Sequence, residues 1–146
     1  MDRRELLQSA VAFTFVAAAT SAIAADDHSH HQHGAGAKYQ PLIDATGACI
    51  AKGEVCLAHC LTLLGDGDKS MAGCAKAVNQ MLALCSALQK LAAQNAPQAK
   101  ALAKVALEGC TECEKECKKH ADKHAECKAC AESCAECIKQ CKAFAA

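Results

Sequence analysis

From Gln40 onward the chain repeats apolar positions at three- and four-residue steps, with few β-branched residues to favour strands. Alanine and leucine dominate these runs, and both are strong helix formers. Breaks are few. Gly65-Asp66-Gly67-Asp68 reads as a loop with Asp68 as an N-cap, and Asn95-Ala96-Pro97 ends one helix and puts Pro97 in the first turn of the next. Helices are predicted near 41–64, 69–94 and 97–120.

The cysteines locate a third break. Their steps within segments are 7 and 4 (Cys49, Cys56, Cys60), 11 (Cys74, Cys85), and 3 and 4 (Cys110, Cys113, Cys117), all of which return to one helical face. Cys117 to Cys127 is a step of 10, which does not. A turn near His120 to Lys123, with Asp122 available as a cap, restores the phase and starts a fourth helix over 123–143. There Cys127, Cys130, Cys134, Cys137 and Cys141 alternate by three and four. Four helices with short connections predict an all-α, antiparallel up-down-up-down four-helix bundle with a cysteine-lined core.

Charged residues fall off the sulfur face: Glu112, Glu114, Lys115, Lys118 and Lys119, then Lys128, Glu132, Glu136 and Lys139. The stripe on helix one holds Leu42, Ala45, Cys49, Cys56 and Cys60; that on helix two holds Cys74, Val78, Met81, Cys85 and Leu88. Antiparallel order makes the ends of the bundle unlike. One end, a mouth, collects His59, Met71, His120 and His124. The other, an apolar plug, collects Leu42, Leu88, Leu91, Leu102, Val105 and Phe144.

Sixteen acidic and sixteen basic residues balance in 146, so no charge excess points to nucleic acid or an anionic surface. Residues 1–24 read as an export signal, with Ala22-Ile23-Ala24 as the cleavage site. Arg3-Arg4 followed by Leu6 and Leu7 resembles a twin-arginine leader, which predicts a periplasmic protein. The apolar stretch is too short for stable membrane insertion. Residues 25–40 are a flexible linker rich in histidine (His28, His30, His31, His33), and 41–146 are the bundle. Removing the leader takes Phe13 and Phe15 with it, leaving Tyr39 and Phe144 as the only aromatics. Sulfur must fill much of the interior.

Thirteen cysteines in a short exported chain normally signal a disulfide scaffold. Here the count is odd, and cysteines three or four apart already share a rigid helix, so bridging them staples nothing. Zinc wants four ligands in a tetrahedron, and the ferredoxin run with its trailing proline is not matched. A zinc- or iron–sulfur-binding protein and a disulfide-stapled helical protein stand as the alternatives. Cu(I) is soft and content with two or three sulfurs. Residues four apart on a helix have β-carbons ~5–6 Å apart, and two collinear metal–thiolate bonds of the zinc length span ~4.6 Å. A CxxxC pair such as Cys56/Cys60, Cys113/Cys117, Cys130/Cys134 or Cys137/Cys141 therefore suits one Cu(I). Bridging thiolates raise the capacity toward one copper per cysteine. No acid–base dyad or aromatic-walled pocket is legible, so the chain is expected not to be an enzyme.

A twin-arginine leader, a cysteine-lined bundle and repeated CxxxC and CxxC steps closely resemble the bacterial copper storage proteins, in particular the exported type of methane-oxidising bacteria. The resemblance covers essentially the whole mature chain. It implies a homotetramer of bundles, many Cu(I) ions per protomer held by paired thiolates, and supply to a copper-receiving enzyme or chaperone, particulate methane monooxygenase among them. It also implies that a histidine and a methionine at the open end contact copper, which map onto His59 and Met71.

Overall fold

The computed structural model describes residues 36–146, with side chains from Tyr39 onward. The leader over 1–24 and the four histidines between 28 and 33 lie outside the described residues. Four helices follow: α1 (Gly36–Gly65), α2 (Ala72–Ala93), α3 (Ala99–Lys118) and α4 (Ala125–Ala145). A single 3-10 turn, Lys69–Met71, precedes α2. No strand occurs among the described residues.

Each helix packs on its two neighbours, α1 with α2 and α4, and α3 with α2 and α4, so the four enclose one core. Contacts at the ends fix the antiparallel order. Gln89 Nε2 at the end of α2 donates to the Ile43 carbonyl near the start of α1 at 3.2 Å. Tyr39 on α1 meets Phe144 on α4 edge to face, ring centroids 4.8 Å apart.

Element boundaries differ from the pattern reading in instructive places. α1 starts at Gly36, ahead of the expected 41, and carries Pro41 inside it. Proline there forfeits one early backbone hydrogen bond, and burial of Leu42 one residue on keeps the segment docked. Asp68 does cap, its carboxylate accepting from the Ser70 amide at 3.0 Å, but the turn it caps is the 3-10 turn. Pro97 lies in the turn ahead of α3, which begins at Ala99. Asp122 does not cap α4. The N-cap is His124, in extended backbone and without a side-chain cap bond, and Asp122 is exposed in the turn before it. Left-handed backbone occurs at Gly67 (φ 95°) and at Asn95 (φ 53°), where the chain leaves α2; both residue types tolerate it.

All thirteen cysteines are fully buried, and the predicted stripes of helices one and two face inward as expected. Val105 is an exception to the plug, being 48% exposed on α3, while Leu42 and Leu88 are buried there. The alanines Ala92, Ala99, Ala103 and Ala106 fill the plug in its place. A cleft of about 470 Å³ between Tyr39, Pro41, Pro97, Lys100 and Phe144 marks that end, and no sulfur lines it. On the surface, Lys115 pairs with Glu112, Lys118 with Glu114, Lys119 with Glu116 and Lys139 with Glu136, all one turn apart.

Tyr39–Gly65 is long and apolar enough to cross a membrane by length and composition. Its cysteine face is nevertheless covered by α2 and α4, leaving Val55 (57%) and Leu61 (56%) exposed on the outside. A protonated thiol packs as a small hydrophobe, so the interior closes without metal. The metal-free chain is expected to give a strongly helical far-UV circular dichroism spectrum; a coil spectrum that turned helical only with metal would contradict a preformed bundle.

Candidate metal centre

Because the helices alternate in direction, their cysteine stripes lie side by side along the bundle axis. The sulfurs meet mainly across helices. Cys85 Sγ on α2 lies 3.5 Å from Cys110 on α3 and 3.9 Å from Cys137 on α4. Cys49 on α1 is 3.6 Å from Cys134 on α4. Cys117 on α3 is 3.5 Å from Cys74 on α2 and 4.0 Å from Cys56 on α1, and Cys56 is 3.8 Å from Cys127 on α4. Cys113 is 3.8 Å from Cys130 on α4 and 3.9 Å from Cys117 on its own helix. None of the thirteen is in a disulfide, and separations of 3.5 Å or more are far from a ~2.05 Å S–S bond.

Four groups of sulfurs gather within 4.8 Å of one another: Cys56, Cys60, Cys74 and Cys127; Cys56, Cys117 and Cys130; Cys113, Cys130 and Cys134; and Cys49, Cys85, Cys110 and Cys137. The last draws one cysteine from each helix. Cys56 and Cys130 each serve two groups, so the first three form a chain of shared sulfurs from the mouth inward. Cys141 belongs to none of the four. Around a three-coordinate metal with bonds of ~2.3 Å, sulfurs stand ~4.0 Å apart. The spacing of the thiols thus already approximates a metal's coordination edges.

The groups are also electrostatically uneven. Hydrogen bonds from the Cys117 and Cys56 thiols favour the Cys74 anion and hold Cys74 at about 3, far below an ordinary thiol. Burial, reinforced by that neighbouring charge, pushes Cys127 up to about 11 and raises Cys60 as well. Deeper in, Cys130 is lowered, chiefly by a hydrogen bond from Cys113. One sulfur among several thus gathers the S–H donors of its neighbours, and the others keep their protons.

At the mouth, His59 Nε2 lies 2.9 Å from His124 Nδ1 and 3.7 Å from Glu126. His59 retains 25% side-chain exposure, next in sequence to buried Cys60. His120 stands further off, its ring centroid 6.4 Å from that of His124. Met71 is fully buried in the core cluster that contains the cysteines. The mouth pair is therefore His59 with His124, and Met71 lies beneath the surface. His124, which antiparallel order brings to the mouth, is half-buried and ties the start of α4 to α1. Met81 was legible only as core, yet its Sδ accepts from the Cys49 thiol at 3.3 Å. Nothing in the one-face periodicity separates such a methionine from an ordinary packing residue.

Among the described residues no buried side-chain nitrogen or oxygen lacks a partner. Thr46, the buried polar residue, donates to the Leu42 carbonyl of its own helix at 2.8 Å. The interior thus offers a metal sulfur and little else.

Comparison with known proteins agrees with this chemistry. No curated protein matches the chain. The structure of apo copper storage protein 3 from Bacillus subtilis is similar, with 28% identity and a TM-score of 0.65 over 73% of this chain and 98% of that one. The family model for copper storage proteins matches residues 35–146, the whole of the described bundle, and the chain belongs to the copper storage protein family.

Proposed function

We propose that the protein stores copper as Cu(I), bound by the thiolates of Cys49, Cys56, Cys60, Cys74, Cys85, Cys110, Cys113, Cys117, Cys127, Cys130, Cys134, Cys137 and Cys141. The observation that carries this reading is the chain of shared sulfur groups. Cys56 and Cys130 each stand in two of them, an arrangement that serves many soft ions with two or three sulfurs each better than closed tetrahedral sites. Copper enters at the mouth past His59, meets Met71 and the Cys56–Cys60–Cys74–Cys127 group, and moves inward by exchange between neighbouring thiolates. Each transfer breaks one copper–sulfur bond as another forms. The role is storage and not catalysis.

The zinc reading has one observation in its favour. Cys49, Cys85, Cys110 and Cys137 supply the four sulfurs that a zinc tetrahedron uses. Anaerobic competition separates the two. Protein preloaded with zinc should release it stoichiometrically when Cu(I) is added, and zinc retained in the four-sulfur group against excess Cu(I) would favour the alternative.

Arg3 and Arg4 in the leader support export of the folded protein by the twin-arginine route to the periplasm, where buried thiols are shielded from oxidation. Lysine at both positions should hold the precursor in the cytoplasm; unchanged export would refute that route. The exposed Val55 and Leu61 on α1 support association into a homotetramer, which a sedimentation mass of one chain would refute. Release to a copper-receiving enzyme, with particulate methane monooxygenase the one implied by family resemblance, completes the reading. Mixing loaded protein with that apo-enzyme tests it by the appearance of activity.

A further inference from the structure

Two methionines enter the interior at different depths. Met71 closes the turn ahead of α2, whereas Met81 lies in the middle of α2, fully buried, one turn before Cys85 and on the same face. The Cys49 thiol of α1 donates to Met81 Sδ at 3.3 Å. On α1, Gly53 makes room for the far end of this side chain. A β-carbon at Gly53 would stand 2.7 Å from Met81 Cε and 2.8 Å from Leu82 Cδ2. The methyl group packs against the glycine, and the sulfur is left facing the thiol. Leucine would fill much of the same volume; what methionine adds is a lone pair directed at Cys49.

We propose that Met81 is a thioether ligand to Cu(I) in a mixed site with Cys49 and Cys85. This deepens the copper storage reading and rests on it. Cys49 and Cys85 lie within 4.8 Å of each other in the four-helix group. In the step, Cu(I) replaces the proton that Cys49 shares with Met81. The Cys49 and Cys85 protons pass to solvent, two copper–thiolate bonds form, and Met81 Sδ donates a lone pair without losing a proton. No electron is transferred and copper stays monovalent. A trigonal site with bonds of ~2.3 Å needs sulfurs ~4.0 Å apart, and the three torsions of methionine let Sδ open from 3.3 Å. Two thiolates and one thioether leave the buried site with a single negative charge, where three thiolates would leave two. Burying less net charge costs less. A neutral thioether also favours soft Cu(I) over zinc.

The test uses selenomethionine-labelled full-length protein carrying Met71→Leu, loaded anaerobically with Cu(I) and measured by X-ray absorption at the selenium and copper edges. A copper–selenium path in Met71→Leu, lost in Met71→Leu/Met81→Leu, is the expected result. Copper–sulfur scattering without any copper–selenium path in Met71→Leu would overturn the role of Met81 and leave copper storage intact. Failure of every labelled protein to take up copper would overturn both. Should Met71→Leu/Met81→Leu not fold, labelled wild type and Met81→Leu provide the same comparison. The copper–selenium signal should fall in Met81→Leu, and an unchanged signal would place it at Met71 alone and refute the proposal.

Discussion

Cys56→Ala is expected to lower the Cu(I) capacity of the chain by about two ions, one for each sulfur group the residue serves, whereas Cys141→Ala removes at most one. Cys56 Sγ reaches Cys117 on α3 and Cys127 on α4 and belongs to two groups within 4.8 Å, while Cys141 belongs to none. Both substitutions delete one heavy atom from a closed interior, at a cost of about 1 kcal/mol each by the usual value for a lost methylene and its small cavity. Stability thus changes similarly in the two, and capacity does not. Copper retained per chain against a competing chelator, with helicity checked by circular dichroism, makes the comparison. Equal losses would mean that within-helix CxxxC pairs bind independently, because Cys56/Cys60 and Cys137/Cys141 are equivalent on that basis.

The second large effect is on pH. Burial pushes Cys127 up to about 11 and raises Cys60, so both thiols carry protons at neutral pH. A copper ion bound between them must displace both. Its apparent affinity should rise about 100-fold per pH unit from pH 6 to 8, ten-fold for each proton displaced. Cys74, held at about 3, has no proton to give up there, so a copper shared by Cys74 and Cys60 releases one. The metal-free fold responds in the opposite sense. A raised thiol pKa means that the protonated form is favoured in the folded state. That contribution is fully present below the ordinary thiol value of 9.0 and is lost as pH climbs toward about 11. The thermal midpoint of the apo bundle should therefore fall above pH 9, while copper affinity continues to improve. Calorimetric titration in buffers of differing ionisation enthalpy counts the protons; copper uptake without proton release would rule out thiolate ligation.

Much of this bundle is written in the spacing of its cysteines. The break in phase between Cys117 and Cys127 locates the turn before α4, and antiparallel order brings His59 and His124 to one end. Both follow from the helical period and chain direction, which are local properties. What the pattern does not carry is the rotation of each helix against its neighbours. Cys56 meets Cys117 and Cys127 across the core, and periodicity alone points no more to those partners than to Cys60. Val105 looks like a plug residue by hydropathy, yet it stands five residues before Cys110, off the face that buries Ala99, Ala103, Ala106 and Cys110, and is exposed. Asp122 has the chemistry of a cap but sits two residues too early for the helix that the turn produces. The expected start at 41 is passed by five residues: α1 begins at Gly36, and Tyr39 ahead of Pro41 packs on Phe144.

In the proposed function, one protonated, preformed core becomes a multi-ion Cu(I) store. Anaerobic titration of the apo-protein with Cu(I) against a chromogenic chelator, with free thiols counted in parallel, tests it most directly. Thirteen reactive thiols are expected in the unfolded apo chain and many tightly held Cu(I) ions per chain, with the thiols protected as copper is added. Retention of a single copper ion, or disulfides in place of free thiols in the freshly isolated apo chain, would contradict it.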